Sequence, residues 1–229
     1  PSKMEIHLIE GAPRILPTMQ EGSSAKAKRY LEKMGVQVWL NAIVKDYTGK
    51  QLVLANDKTI AADHVIWTAG VKGATLPGIP AETIGKGNKY RTNRFNQLIG
   101  FENIFVLGDI ATIEGDGNYP NGHPGVAQVA LQQAKQLAGN FTRLHQQKPL
   151  KPFAYKDLGS MATIGRHKAV VELPFISFGG YLAWYVWMFI HLMALVGFRN
   201  RFMVFVNWMW NYFMYDRAHR IILNNSGKS

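Results

Sequence analysis

Residues 103–136, NIFVLGDIATIEGDGNYPNGHPGVAQVALQQAKQ, constrain the fold more than any other stretch. An apolar β-prone run, Ile104-Phe105-Val106-Leu107, stops at Gly108-Asp109. A Gly- and Asn-rich loop follows, and then a helix that Pro124 can open, with Gln128 and Gln132 four apart on one face. A buried strand ending in Gly-Asp brings a carboxylate to the carboxyl edge of a sheet, where open α/β proteins bind nucleotides. The glycine admits a close backbone approach, and Asp109 can accept hydrogen bonds from a sugar or ribityl hydroxyl.

Upstream, residues 4–10 (MEIHLIE) form a β-prone run that ends in an acidic residue before a Gly-Ala-Pro turn. The second strand of a Rossmann unit ends this way, with Asp or Glu on the ribose 2′-hydroxyl of NAD, so Glu10 is a candidate for that contact. Its carboxylate would repel a 2′-phosphate and favour NAD over NADP; a solvated strand end is the plain alternative. Residues 23–33 are predicted helical, with Ser23 or Ser24 as cap and Gly35 as stop. Residues 36–44, 51–54 and 58–60 are predicted strands, the first two joined by a turn containing Thr48-Gly49. Residues 64–68 (HVIWT) are expected to add an apolar strand ended by Ala69-Gly70, where small side chains let a cofactor pass close by, with Trp67 in the core. Residues 72–100 read as a connecting loop with a short strand near Arg91, and residues 124–146 as a helix ended by Pro149 and Pro152. Residues 153–174 return to strand-like sequence, two short runs punctuated by Gly159 and Gly165 that form a hairpin-like cap, with His167 and Lys168 at the solvated surface.

The chain has no cysteine, which excludes disulfides, thiolate nucleophiles and Cys-ligated metal or iron–sulfur sites within it. Its formal net charge is +11, with 17 Lys+Arg against 12 Asp+Glu up to residue 150 and 9 against 3 beyond. The basic excess is thus denser at the apolar end, which favours an anionic lipid surface over nucleic acid as partner. Four of the six tryptophans, Trp184, Trp187, Trp208 and Trp210, lie in that end. Residues 180–197 are almost uniformly apolar yet reach only about 27 Å at helical rise, just short of a comfortable bilayer crossing. After the basic break at Arg199-Asn200-Arg201, a second run over 202–215 spans about 20 Å, with Asn207 and Asn211 on one face. This pattern predicts an amphipathic helix in the membrane interface, Trp and Tyr at headgroup depth and Arg199 and Arg201 toward anionic lipid. A buried hairpin and a single span by the first run are the alternatives.

Four separated stretches together resemble one family. IHLIEGAPRILP (6–17), VIWTAGV (65–71), NIFVLGD (103–109) with AQVALQQ (127–133), and GFRNR (197–201) with its aromatic helix are similar to type II NADH dehydrogenases. These are two-Rossmann flavoproteins that oxidise NADH and reduce membrane quinone without pumping protons. The resemblance implies an α/β fold, a partial two-Rossmann FAD/NAD(P)-binding architecture followed by a small β cap and C-terminal membrane-associated helices. Residues 1–72 would complete an NADH-binding domain, 73–150 would end an FAD-binding domain, 151–178 would form the cap and 179–229 the membrane helices. It also implies FAD as cofactor, NADH as substrate, membrane quinone as acceptor, and a peripheral or monotopic location at the cytoplasmic face of the cell inner membrane, with homodimerisation left open.

By that resemblance Glu10, Ala69 and Gly70 would contact NADH, Gly108, Asp109 and Ala127 would hold FAD, and Gln128 and Gln132 would border the quinone pocket. Elementary chemistry is compatible with each assignment. Gly125, Ala127 and Ala130 let a flat ring approach the helix, whose positive N-terminus would stabilise charge on a reduced flavin. Two glutamines supply donors for a quinone carbonyl in an otherwise apolar pocket, the plain reading of each being an exposed helix face. Both Gly-rich phosphate loops of the family lie outside these residues, so the chain is expected to be a fragment. Many bacterial members carry Lys where this chain has Leu158, so no proton-delivery role is assigned there. A flavoprotein reductase with another acceptor, such as a disulfide or sulfide, is one alternative; a membrane-anchored module with a non-catalytic α/β remnant is the other.

Overall fold

The computed structural model describes residues 4–195 and 197–214, the last four as backbone only. Two compact units divide the chain: one takes the described residues up to Ala62 and from Gly159 onward, the other Asp63–Leu158. Boundaries drawn at residues 72 and 150 from the sequence fall inside the second unit, and of the expected cap only residues 159–178 lie in the first, with the described terminal helices and the opening strands.

In the first unit, β1 (Ile6–Ile9) runs parallel to β2 (Val36–Trp39), Ile6 opposite Val36 and Ile9 opposite Trp39. Parallel neighbours need a crossover, which α1 (Glu21–Lys33) supplies. Neither Ser23 nor Ser24 caps α1. Both are buried inside its first turn, Gln20 holds the cap position, and the Ser24 hydroxyl donates to the Ile15 carbonyl at 2.7 Å. Gly35, at φ +86°, ends the helix as expected. The run predicted as one strand over 36–44 breaks at Asn41, whose φ is +51°. Beyond it β3 (Val44–Tyr47), β4 (Gln51–Leu54) and β5 (Thr59–Ala61) form an antiparallel meander closed over Ala42, Leu52, Leu54 and Ile60.

The second unit corrects two strand expectations. Residues 64–68 join no strand ladder among the described residues, leaving Ile66 87% and Trp67 65% exposed rather than in a core. The run 104–107 buries Val106 but, among the described residues, makes only one isolated bridge, from Phe105 to Gln97. Regular pairing sits on either side of it, between β6 (Tyr90–Thr92) and β7 (Ala111–Ile113), which are parallel with Tyr90 opposite Ala111. Asp109 therefore precedes a paired strand instead of ending one. Helix α2 (Ala127–His145) starts three residues after Pro124, because Val126 is extended at φ −132°, ψ 148°. Arg143 and His145 in its last turn suit the negative end of the helix dipole.

The first unit resumes with β8 (Ser160–Thr163), β9 (Ala169–Leu173) and β10 (Ile176–Gly180), an antiparallel sheet with β9 central. The hairpin was legible in the sequence; the third strand was not. Ala169, Val170 and Val171 are fully buried, and the Glu172 carboxylate accepts from the Gln20 backbone N–H at 2.8 Å, tying the cap to α1. His167 and Lys168 are half-buried rather than solvated: the His167 ring stacks on Tyr181 at 5.6 Å, and the Lys168 ammonium lies 5.4 Å from the Tyr30 ring centre.

Helices α3 (Tyr181–Ala194) and α4 (Phe198–Met214) end the described chain. Ala183 seats α3 on the sheet, and Trp187 stacks on Trp208 at 6.0 Å between the two helices. The basic break lies inside α4 and does not separate the helices. No described helix is long and apolar enough to cross a membrane. The expected second run extends to Tyr215, which lies outside the described residues, as does the Asn211 side chain.

Candidate functional site

In the second unit the chain turns sharply after Leu107. Gly108 takes φ +74° and opens a 3₁₀ turn, Gly108–Ile110, that carries Asp109. The Gly108 N–H donates to Oε1 of the buried Gln133 at 2.7 Å, which ties the turn to α2. A β-carbon at Gly108 would sit 3.4 Å from the Ala130 methyl, and one at Gly125 would sit 3.6 Å from Asp109 Oδ1. The exposed Asp109 carboxylate thus lies against glycine backbone, two residues ahead of α2. No side chain caps α2, so its first N–H groups keep their partial positive charge. Asp109, Gly108, Gly125, Val126, His123 and Gln133 share one narrow cleft.

His123 stands in the wall of that cleft. Its side chain and that of Asp116 are each 5% exposed, with His123 Nε2 3.2 Å from Asp116 Oδ2. Rings of Tyr119, Phe153 and Tyr155 surround it at 4.5, 5.3 and 5.9 Å. Burial lowers the His123 pKa below 6.5, against the opposing pull of Asp116, and Arg94 lowers it further. Burial likewise pushes the Tyr155 hydroxyl up to about 12, helped by the negative charge and hydrogen bond of Asp157. The folded state therefore binds fewer protons at His123 than the unfolded chain between the lowered value and 6.5. Stability from this group is present above that window and lost as pH falls through it. Denaturant midpoints measured from about pH 5 to 8 should rise with pH, and His123→Phe should flatten that rise.

Gln128 and Gln132 do share a face, and their amides hold backbone. Gln128 Oε1 accepts from the Leu158 N–H at 3.3 Å. Gln132 accepts from the Lys156 N–H at 3.0 Å and donates to its carbonyl at 2.9 Å. The row continues at the same spacing: Gln136 donates to the Lys151 carbonyl, and Asn140 exchanges two 2.9 Å bonds with Lys151. Four amide side chains thus fasten residues 151–158 along α2. Ala127 is exposed at its start.

The remaining expected residues are spread over both units. Glu10, half-buried at the end of β1 in the first unit, accepts from the Ala12 N–H at 2.9 Å. Ala69 and Gly70 are exposed in the second unit. On the terminal helices Arg199 and Trp210 are exposed, whereas Trp184, Trp187, Trp208 and Arg201 are half-buried, Arg201 donating to the Leu195 carbonyl at 2.8 Å. The residues missed from the sequence are Gln133, Asp116, His123 and Tyr155. Only the His-Pro-Gly step directly ahead of the helix could have signalled them.

Known proteins share this plan. The family model for pyridine nucleotide-disulphide oxidoreductases matches residues 2–134, and that for the NDH2 C-terminal domain matches residues 158–217. A type II NADH:quinone oxidoreductase, NdhA, of Mycobacterium tuberculosis is 35% identical over 225 residues, covering 91% of this chain and 46% of that protein. The internal alternative NAD(P)H-ubiquinone oxidoreductase A1 of Arabidopsis thaliana mitochondria is 30% identical, covering 90% and 43%. The chain spans about half the length of the curated relatives it matches. Among solved structures, NDH2 of Plasmodium falciparum in complex with NADH superposes with a TM-score of 0.81 over 92% of this chain and 58% of that one, at 19% identity. At that identity the likeness concerns the fold.

Proposed function

We propose that this chain, which belongs to the pyridine nucleotide-disulphide oxidoreductase family, is part of a flavoenzyme that passes hydride from NADH to FAD and two electrons onward to membrane quinone. The observation that carries the reading is the turn at Gly108-Asp109, fixed to α2 by Gln133 and facing the side-chain-free backbone of Gly125. These residues suit FAD. An exposed carboxylate can accept from ribityl hydroxyls, the glycines leave room for close approach, and the uncapped α2 N-terminus favours negative charge. FAD, when bound, supplies the hydride-accepting and electron-donating chemistry. The chain contributes position: Asp109 orients, Gln133 locks the turn, and α2 presents its dipole. Ala127, at the start of α2, would border the ring. Glu10 would bind the adenosine ribose of NADH, and Ala69 and Gly70 would leave room for a cofactor to pass close by.

Quinone as acceptor is supported by the names of the Mycobacterium and Arabidopsis relatives, which favour it over a disulfide or sulfide. Gln128 and Gln132 would border its pocket, and because they also brace residues 156–158, they would shape it through that backbone. In the full-length protein, Gln128→Ala with Gln132→Ala should keep FAD content and NADH oxidation by a soluble dye while lowering quinone turnover about tenfold or more. Normal quinone kinetics in that double variant would remove the quinone assignment. Attachment would be peripheral or monotopic at the cytoplasmic face of the inner membrane, through apolar α3 and α4, with Arg199 toward acidic headgroups.

A further inference from the structure

The Asp116–His123 pair has no part in the reading above, although His123 lines the same cleft. A side chain this buried is costly unless its polar atoms are satisfied. Yet His123 Nδ1 has no hydrogen-bond partner among the described residues, and Nε2 makes only the 3.2 Å approach to Asp116. The three surrounding aromatic rings pack about the imidazole and hold its plane in place. A rigid, buried, half-satisfied imidazole beside Asp109, Gly125 and the start of α2 has the properties of a ligand-binding group.

We propose that His123, positioned by Asp116, hydrogen-bonds the ring system of the bound flavin and takes up a proton when that ring is reduced. This rests on the FAD reading above. Asp116 favours a proton on Nε2, which leaves Nδ1 as an acceptor while the ring is neutral. Added negative charge in the cleft draws one proton from solvent onto Nδ1. His123 then donates from Nδ1 to the negative site, and the Asp116 carboxylate balances the imidazolium. No bond other than the N–H forms, and the two electrons remain those delivered by the nicotinamide. Among the described residues, the charged and titratable groups around His123 are Asp116 and Tyr119 from its own loop, Arg94 from the segment after β6, Tyr155 from the segment beyond α2, and Asp109 and Lys89 lining the same cleft; Asp157 acts on it through Tyr119 and Tyr155. Arg94 opposes protonation and Asp116 supports it, so the gain of a proton follows the charge in the cleft. The lowered resting pKa agrees, since a neutral imidazole before reduction is what allows uptake on reduction.

The experiment uses the full-length holoprotein: FAD content from the visible spectrum, then the midpoint potential of the flavin as a function of pH. The slope of that plot gives the protons taken up with two electrons. Between about pH 5 and 8, His123→Phe, which keeps an aromatic ring in the wall, should take up about one proton fewer than wild type. Asp116→Asn should shift the wild-type inflection to lower pH. Sulfite, an anionic probe of positive charge near the flavin, should bind wild type about tenfold more tightly near pH 5.5 than near pH 8 and show no such change in His123→Phe. Flavin-loaded His123→Phe with the wild-type slope and sulfite profile overturns the proposal and leaves the FAD reading intact. If His123→Phe does not accumulate, Asp116→Asn with an unshifted inflection overturns it equally. A colourless wild-type protein overturns the FAD reading itself.

Discussion

Gly108→Val should cost about 2–4 kcal/mol and empty the flavin site. Three effects combine. Valine is a β-branched residue forced to φ +74°, and its β-carbon would already stand 3.4 Å from the Ala130 methyl before its two methyl groups are placed. Relaxing the backbone to a negative φ would swing the Gly108 N–H away from Gln133, leaving a buried amide oxygen unpaired at about 1–3 kcal/mol. Gly108→Ala meets the first effect and little of the second, so it should cost only about 1–2 kcal/mol. Thermal unfolding of the full-length protein, with FAD content measured on the same samples, checks the order glycine, alanine, valine. A valine variant with wild-type unfolding temperature and full flavin would show that the turn has slack the geometry denies it.

Replacing Phe198, Phe202 and Trp210 together with serine should lower binding to lipid vesicles by about three orders of magnitude. These side chains are 81%, 55% and 57% exposed and recur along one broad face of α4. Inserting each into the acyl boundary is worth about 1.5 kcal/mol, and each factor of ten is about 1.4 kcal/mol. Their exposure means the Trp187–Trp208 stack that joins the helices is left in place. Arg199→Gln should act differently, weakening binding about fivefold to acidic vesicles and hardly at all to zwitterionic ones. Sedimentation with vesicles of both compositions distinguishes the two effects. Unchanged sedimentation of the triple serine variant would sink the proposed attachment.

How much could be foreseen depended on whether the determining contact was local. The apolar period of α2, and the turn after α1 at Gly35, are encoded within a few residues of where they act. Strands over 64–68 and 104–107 were misjudged because a β-prone composition says nothing about whether a partner runs alongside. Four-residue spacing placed Gln128 and Gln132 on one face, but the backbone they grip lies 24–30 residues downstream. Likewise His123 reads as a loop residue. Beyond Tyr119 of its own loop, Phe153 and Tyr155 bury it, delivered by the segment that the amides of α2 fasten.

That fastening has a consequence for which changes the segment can bear. Gln128, Gln132 and Asn140 grip main-chain N–H or C=O groups of Leu158, Lys156 and Lys151. Bonds to the main chain are indifferent to what projects from it, so substitutions at 151, 156 and 158 should leave these bonds in place. Removing one residue between Lys151 and Lys156 is another matter, since every clasp beyond the gap would then meet the wrong peptide group. The segment is measured out by α2 as cloth is by evenly spaced pins: its pattern is free, its length is not, and the position of Tyr155 over His123 depends on that length.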